Sequence, residues 1–541
     1  MKCLIYVPLL IGILVHQASA QRVQMAWQSV ERVSRSTPTL QVVVNPPLRR
    51  SSPVHDRAFE ELRKLGADYV RYVPWLPYPK FGVAELEPPT AEKTFWDFSV
   101  IDPITIDFLN ATKGHPVVLN FSTIPAWMFK TEKPVAYPED PNQVTWNYTQ
   151  GTQLRDHSNK ELADYYRRLV SWYVKGGFVD ELGKRHESGH HFKIDYWEVL
   201  NEPDLEHHTT PEQYTERYDA IVSAIRTVAP ETKFVGISVA YPSKEPGMFE
   251  YFLNPKNHAP GIPLDMISYH FYAAPDASET PDVQQYTFFD QADGFLNTVR
   301  YVEEIRKRLS PLTHTATNEI GSISADDTMQ SKPEHVTKPI PDSYWNLSGA
   351  TYAYLFGQLA SLGIEVIGES QLMGYPTQFP SVSMLDWNSG APNARFRVLE
   401  LLKRNFSPGV KLVRTQVEDA EIYGLGFISQ DGSHKLLLVN KRDKDVDVRL
   451  PQQASQVQFV DQTTKGNSPG EQALHSDTYR LRGLGVAVIS FRRTGPEPAC
   501  LCRPSLRKQA AFRRRMLWSG GFPARDTWLR GGPRPAPGFR L

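Results

Sequence analysis

The residues best placed to do chemistry are two glutamates, each at the end of an apolar run. Ile194–Leu200 is an aromatic stretch of strand length that stops at Asn201-Glu202-Pro203-Asp204. Pro203 lacks an N–H and turns the preceding residue away from helical geometry, so Glu202 falls in a loop at the strand's C-terminal end. Burial beside Asn201 and aromatic rings would raise its pKa and suit it to general-acid work. A second run, Thr313–Asn318, ends at Glu319. One carboxyl held protonated beside one held ionised is an acid and nucleophile pair in waiting. Glu369, after Ile364–Gly368, is the rival partner, with an ordinary hydrogen-bonding role as its alternative. Glu198 lies inside its strand and reads as structural.

Other side chains fall near the same strand ends. Asn201 offers an amide donor. His270 and Tyr272 close the run Leu264–Phe271, and a tyrosine there can hold a carboxylate ionised; a packed, satisfied pair is the competing reading. Arg71 can pair with the nucleophile or form a structural salt bridge. Trp75, Trp127 and Trp387 stand in predicted strand-end loops, where indole faces can stack on a ligand. His186, His190, His191, His207 and His208 invite a metal reading, but no carboxylate completes a ligand set, and they read as solvated loops. No metal and no cofactor is expected.

These residues need a scaffold that brings strand ends together. Eight apolar strands are predicted, at 40–45, 69–73, 116–120, 194–201, 234–239, 264–271, 313–318 and 364–368. Helical segments follow almost every one, including 54–65, 98–109, 295–309, 344–362 and 393–404. Ser158-x-x-Glu161 and Thr210-Pro211-x-Gln213 read as helix-opening caps. Continuous apolar strands alternating with helices give an α/β class (β/α)8 TIM barrel, with its site at the C-terminal strand ends. A doubly wound sheet is the runner-up, but no Gly-rich phosphate loop follows an early strand. Past Pro408 the pattern becomes short alternating strands, a small C-terminal β-sandwich that the strand Val23–Trp27 can join. The domain expectation is therefore a signal peptide at 1–20, the barrel at 21–407, the sandwich at 408–493 and a basic tail at 494–541.

With 541 residues the chain exceeds one ordinary core. Met1–Ala20 has a charged start, a short apolar run and an Ala-x-Ala end, so export is expected, extracellular or periplasmic. No other run is long enough to span a membrane. Cys3 leaves with that segment, and only Cys500 and Cys502 remain, so no disulfide staples the middle. The tail from Thr494 carries ten of the sixty basic residues and two of the sixty acidic ones, and reads as disordered. The body is thus mildly acidic, which argues against nucleic acid as a partner. Asn-x-Ser/Thr sites occur at Asn110, Asn120, Asn147, Asn346 and Asn405; Asn120 ends a predicted strand and makes a poor acceptor.

Trp197-Glu198-x-x-Asn201-Glu202-Pro203-Asp204 resembles the acid/base motif of retaining glycoside hydrolases of clan A. Asp204 points towards family 39, the β-xylosidases and α-L-iduronidases. The resemblance covers roughly 38–493 and is loose around Glu319. It implies Glu202 on the fourth strand as acid/base, Glu319 on the seventh as nucleophile, Asn201 donating to a sugar 2-hydroxyl, and a β-sandwich beside the barrel. The expected substrate is a carbohydrate. A neutral sugar, β-xyloside-like, is favoured, because Arg71 is the one cation near the predicted site. An α-L-iduronidase, a transglycosidase and a non-catalytic carbohydrate-binding barrel are the alternatives; retention of both glutamates speaks against the last. The sequence leaves the oligomeric state open.

Overall fold

The computed structural model describes residues 21–146, 151–332 and 335–492. The predicted leader, the basic tail, all three cysteines and Asn147 lie outside them.

Eight parallel strands close into a barrel in chain order. They are β1 (Thr37–Val43), β2 (Val70–Val73), β3 (Val117–Leu119), β4 (Tyr196–Glu198), β5 (Lys233–Val239), β6 (Met266–Ala273), β7 (His314–Ser322) and β8 (Val366–Glu369). One α-helix follows each: α1 (His55–Leu65), α2 (Ile101–Ala111), α3 (Lys160–Val174), α4 (Pro211–Arg226), α5 (Pro246–Phe252), α6 (Pro281–Leu309), α7 (Asp342–Leu362) and α8 (Ala394–Asn405). The strands are buried on both faces, as the continuous apolar runs required. Val118, Tyr196, Val235, Met266, Ala316 and Val366 pack in one cluster drawn from six of the eight strands.

Local chemistry accounts for several boundaries. Gly66 and Gly363 take left-handed φ of 55° and 94° immediately after α1 and α7, where a side chain would be strained. Thr210 and Gln213 form the reciprocal cap of α4. The cap expected at Ser158-x-x-Glu161 does not form. Asn159 is left-handed at φ 58°, and Asp156 instead accepts from the Ser158 and Glu161 amides, while Glu161 is drawn to Arg155. An aspartate two residues upstream takes the Glu161 amide that the Ser158 hydroxyl was expected to cap.

Helix α6 starts fourteen residues before the expected position. Its first half is polar and interrupted by Gly294, which disfavours helix locally, but burial of Phe288, Phe289 and Ala292 holds it. Helix α5 was not foreseen. Neither was the hairpin Gly177–Val179/Arg185–Glu187 between α3 and β4.

The second domain is a nine-stranded sheet built from both ends of the described chain. The strand Gln21–Val33 pairs antiparallel with Lys411–Val417 and, at Gln21 and Arg22, parallel with Val446–Arg449. It therefore joins two parts of the sheet that fold over one core of Val23, Leu436, Leu438, Val448, Val457, Leu481 and Ile489. The strands Gly470–Ala473 and Thr478–Leu481 add to those the sequence suggested. Among the described residues no helix is long and apolar enough to cross a membrane. Of the described glycosylation sequons, Asn110 is exposed, whereas Asn120, Asn346 and Asn405 are buried.

Candidate active site

Arg71, at the second position of β2, is fully buried and organises the C-terminal mouth of the barrel. Its guanidinium has five N–H donors, and five acceptors meet it. Nε donates to Glu198 at 2.5 Å, Nη1 to Gln41 at 2.7 Å and Glu319 at 2.6 Å, and Nη2 to Asn201 at 2.6 Å and Ser238 at 3.0 Å. Residues from β1, β4, β5 and β7 are thus tied to one side chain on β2. Glu198 is the hub beneath it. It also accepts from Asn120, Ser268 and Asn318, and although burial opposes its charge, Arg71 and these donors hold its pKa below the ordinary value.

Glu202 lies past β4, in a turn where Leu200 and Glu202 both take left-handed φ, 64° and 41°. Such backbone is uncommon for residues with a Cβ and is found where the surroundings enforce it. Here Asp204 helps enforce it: its two carboxylate oxygens accept from the Ala240 and Tyr241 amides, each at 3.0 Å, locking the Glu202 turn to the loop after β5.

Glu319 was expected to end its strand, but β7 continues to Ser322. The register slips around Thr317–Ile320 against both neighbouring strands. In a regular strand successive side chains alternate sides. Here Asn318 reaches Glu198 at 2.8 Å and the adjacent Glu319 reaches Arg71, both inside the barrel. A bulge, which re-aims side chains in this way, makes that possible.

The two carboxyls meet across His270. One oxygen of Glu202, one of Glu319 and a ring nitrogen of His270 lie within 4.8 Å of one another. Nδ1 of His270 is 2.8 Å from Glu202 and 3.5 Å from Glu319, and Nε2 is 3.1 Å from the Ser238 hydroxyl. Tyr272 donates its hydroxyl to Glu319 at 2.7 Å. The environments push the carboxyls apart. Burial raises the Glu202 pKa, more than the His270 contact lowers it. Burial also works against the Glu319 charge, but His270, Arg71 and Tyr272 together outweigh it and leave its pKa lowered. For His270, burial disfavours the imidazolium, yet Glu319 and Glu202 prevail and its pKa is raised.

Among the described residues this trio is also the one group close enough to hold a metal ion. A cation there would have to compete with Arg71 and Tyr272, which occupy both oxygens of Glu319.

The carboxyls open into a cavity of about 790 Å³, a size ordinary for small-molecule sites. Gln41, Asn201, Tyr272 and Gln371 give it hydrogen-bonding groups, beside Trp75, Trp146 and Phe379. The three rings pack with centroids 5.6 to 6.0 Å apart. Asn201 donates one amide hydrogen to Glu206, which leaves the other for the cavity.

Of the residues singled out from sequence, Glu202, Glu319, Asn201, His270, Tyr272 and Trp75 line the cavity, and Arg71 lies beneath it. Trp127 and Trp387 do not line it. Trp127 donates to the Glu85 carbonyl and is covered by the Arg155 guanidinium, and Trp387 borders a separate pocket with Trp345 and Pro376. Both are in strand-end loops, but neither loop brings its ring to the cavity. Glu369 is fully buried against Arg395 at 2.9 Å, away from the cavity, and burial pushes its pKa up to about 8. His207 is not solvated: it is buried against Phe129, and burial pushes its pKa down to about 3, whereas His208 is exposed. His186 and His190 pair with Asp180 and Asp102.

The sequence reading missed Gln41, Trp146, Phe379 and Glu206. Glu206 sits one turn past Glu202, accepts from Trp75 at 2.6 Å and from Asn201 at 2.8 Å, and burial raises its pKa well above the usual range. Its spacing from Glu202 was the available signal.

The chain is similar to known carbohydrate-active proteins in part and over its fold. Residues 143–294 match the family model described as alpha-L-arabinofuranosidase 1 domain. That segment includes Glu202 and His270 but not Glu319. The fold resembles a GH51 arabinofuranosidase from Xanthomonas axonopodis pv. citri, with TM-score 0.59 and 10% identity over 87% of this chain and 100% of that one. It resembles an alpha-L-arabinofuranosidase from Thermotoga maritima at TM-score 0.57 and 13% identity, over 87% and 99%. A GH30 endoxylanase from Clostridium papyrosolvens C71 gives TM-score 0.53 and 14% identity, over 87% and 100%. No curated protein sequence matches the chain. The family 39 resemblance rests on the motif at 197–204 alone.

Proposed function

We propose that this protein is a retaining O-glycoside hydrolase acting on a neutral glycoside. The observation that carries the reading is the carboxyl pair. Retaining enzymes hold their two carboxyls about 5–5.5 Å apart, whereas inverting ones need about 6.5–9.5 Å to admit a water. Oxygens of Glu202 and Glu319 within 4.8 Å of one another leave no room for the inverting arrangement and favour the retaining one. The environments that raise one pKa and lower the other match the division into acid and nucleophile.

In this mechanism Glu319 attacks the anomeric carbon while Glu202 protonates the departing oxygen. The sugar is then bonded to Glu319. Glu202, now ionised, takes a proton from water, whose oxygen displaces Glu319 and restores the first configuration. Arg71 and Tyr272 keep Glu319 charged until it attacks. The free amide hydrogen of Asn201 is placed for a hydroxyl of the bound sugar.

A neutral sugar is supported by charge. Among the described residues no Lys or Arg lines the cavity, and the five donors of Arg71 are already engaged. A uronate would find no free cation. Pentosides are the first substrates to test: β-xylosides, favoured by the motif resemblance, and α-L-arabinofuranosides, favoured by the match at 143–294. The same reading has the enzyme exported, on the strength of the Met1–Ala20 pattern.

A panel of dinitrophenyl xyloside, arabinofuranoside, glucoside and iduronide tests the reading, with the configuration of the first-formed sugar followed by NMR. Retention on a neutral glycoside is expected; inversion would exclude the mechanism. Glu319→Ala should lose at least about four orders of magnitude in kcat, because the covalent intermediate cannot form. Glu202→Ala should retain far more activity on a dinitrophenyl glycoside than on an alkyl one, because a good leaving group needs no proton. Azide should rescue Glu202→Ala with retained configuration and Glu319→Ala with inverted configuration.

A further inference from the structure

The line from Glu202, past β4, to Glu319 on β7 divides the cavity unequally. Gln41, Gln371 and Trp75 offer hydrogen-bonding groups towards β8, β1 and β2. The other side is walled by the loop after Glu202, the loop after β5, β6 and the first half of α6. There the apolar lining is Leu205, Ala240, Tyr241, Pro242, Phe271 and Phe295, with Ser243, Gln291 and Thr298 as its polar residues. Leu205 and Tyr241 are 42% and 47% exposed, unusual for large apolar side chains standing beside a buried carboxyl. Phe271 and Phe295 stack at 4.7 Å, and Gly294 beside them leaves a notch in α6, where an added Cβ would meet nothing within 4 Å.

The polar groups on this side are the Tyr241, Ser243 and Thr298 hydroxyls and Gln291. Gln291 spends both ends of its amide on the backbone of Ala274, at 2.9 Å each. A second sugar here would bring more hydroxyls than these groups can pair, and each one buried unsatisfied costs roughly 1–3 kcal/mol.

We propose that this side takes an apolar aglycone, an aryl or alkyl alcohol, and not a further sugar. The inference rests on the retaining glycosidase reading and names the substrate class of that site. The side of Gln41, Gln371 and Trp75 holds the sugar. Glu202 faces the departing oxygen, and the carbon skeleton attached to that oxygen lies along Leu205, Tyr241 and Phe271 into the Gly294 notch. Burying such a group removes its apolar surface, and that of the exposed Leu205 and Tyr241, from water.

The experiment uses the second half of the reaction, where the same pocket receives an acceptor. The acceptor's hydroxyl gives its proton to Glu202, its oxygen bonds to the anomeric carbon, and the bond from that carbon to Glu319 breaks, releasing Glu319 as carboxylate. The full-length enzyme turns over whichever dinitrophenyl pentoside it hydrolyses, in the presence of 2-phenylethanol or of xylose, and the ratio of transfer to hydrolysis is measured. Transfer to 2-phenylethanol is expected at concentrations at least about tenfold lower than to xylose. Leu205→Asp, at an exposed position, and Gly294→Leu, which fills the notch, should each reduce that preference about tenfold or more. Equal or better transfer to xylose in the wild type, or a preference unchanged in both variants, would overturn the proposal while leaving the glycosidase reading standing. An enzyme inactive on every dinitrophenyl glycoside would overturn both.

Discussion

His270 is the residue through which the two carboxyls feel one another. It lies 2.8 Å from Glu202 and 3.5 Å from Glu319, and its positive form lowers the pKa of each. Activity needs Glu319 ionised and Glu202 protonated. In the intact protein the ascending limb of the pH profile should lie below the ordinary glutamate pKa, since Glu319 is lowered, and the descending limb above it, since Glu202 is raised. Replacing the imidazole with a neutral group removes a lowering influence from both. His270→Asn should therefore move both limbs of kcat/KM to higher pH. A profile that loses amplitude without moving would mean that His270 only fills space. Glu206 makes a related point. A single carboxyl orients both Trp75 and Asn201, yet nothing in a one-residue reading separates a buried glutamate from a solvated one in a loop; the distinction exists only once its neighbours close over it.

Among the elements, the β7–β8 contact sets the position of Glu319. The bulge in β7 presses its backbone onto β8, where Gly368 stands. A Cβ on Gly368 would lie 2.8 Å from the Asn318 carbonyl oxygen and 3.1 Å from its Cα, so the backbone next to Glu319 would have to move. Gly368→Ala should cost about 1–3 kcal/mol of stability through overpacking. It should also lower kcat by at least about tenfold, because a shift of even an ångström spoils the attack geometry. Stability lost with kcat intact would show that the bulge does not position the nucleophile. The barrel was legible because its strands are apolar on both faces and its helices carry their own stop signals, such as Gly66. The bulge was not, because the run Thr313–Ile320 has the composition of an uninterrupted strand. The first half of α6 was hidden for the opposite reason: Gly294 and its polar neighbours argue against helix locally, and only packing of Phe288 and Phe289 overrides them. The loop tryptophans show how far sequence reaches. Being in strand-end loops was correct for Trp75, Trp127 and Trp387 alike, but which loops fold over the barrel mouth depends on partners such as Glu206 for Trp75 and the Glu85 carbonyl for Trp127.

On the scale of the molecule, the second domain has a core of its own on one face and shares the barrel's core on the other. Phe427, Leu437, Val439, Val460, Leu484 and Val486 of the nine-stranded sheet belong to the same buried cluster as the barrel helices. Phe406, after α8, packs between Phe356 of α7 and Phe427, with centroid distances of 5.1 and 4.2 Å. Gly357 in α7 has no room for a Cβ, because Tyr423 would lie 2.6 Å from it. The sheet also braces the half of α6 that walls the cavity. The Asp443 amide donates to Gln285 at 2.8 Å, Arg442 covers Tyr286 at 3.9 Å, and Lys441 stands over Phe289 and Tyr354 at 5.8 and 5.3 Å. Two domains with separate cores can unfold separately; two that share one should not. Calorimetry of the full-length protein should therefore give a single transition whose calorimetric and van't Hoff enthalpies agree. Tyr423→Ala removes a half-buried ring from the contact, should cost less than the roughly 3–5 kcal/mol of a fully buried aromatic truncation, and should lower that single transition without splitting it. Deleting 408–492 would expose Phe406 and the apolar face of α7, and the remaining chain should be insoluble or inactive. Two transitions in the intact protein, or a soluble and active barrel without the second domain, would show that the shared core is only a contact between independent units.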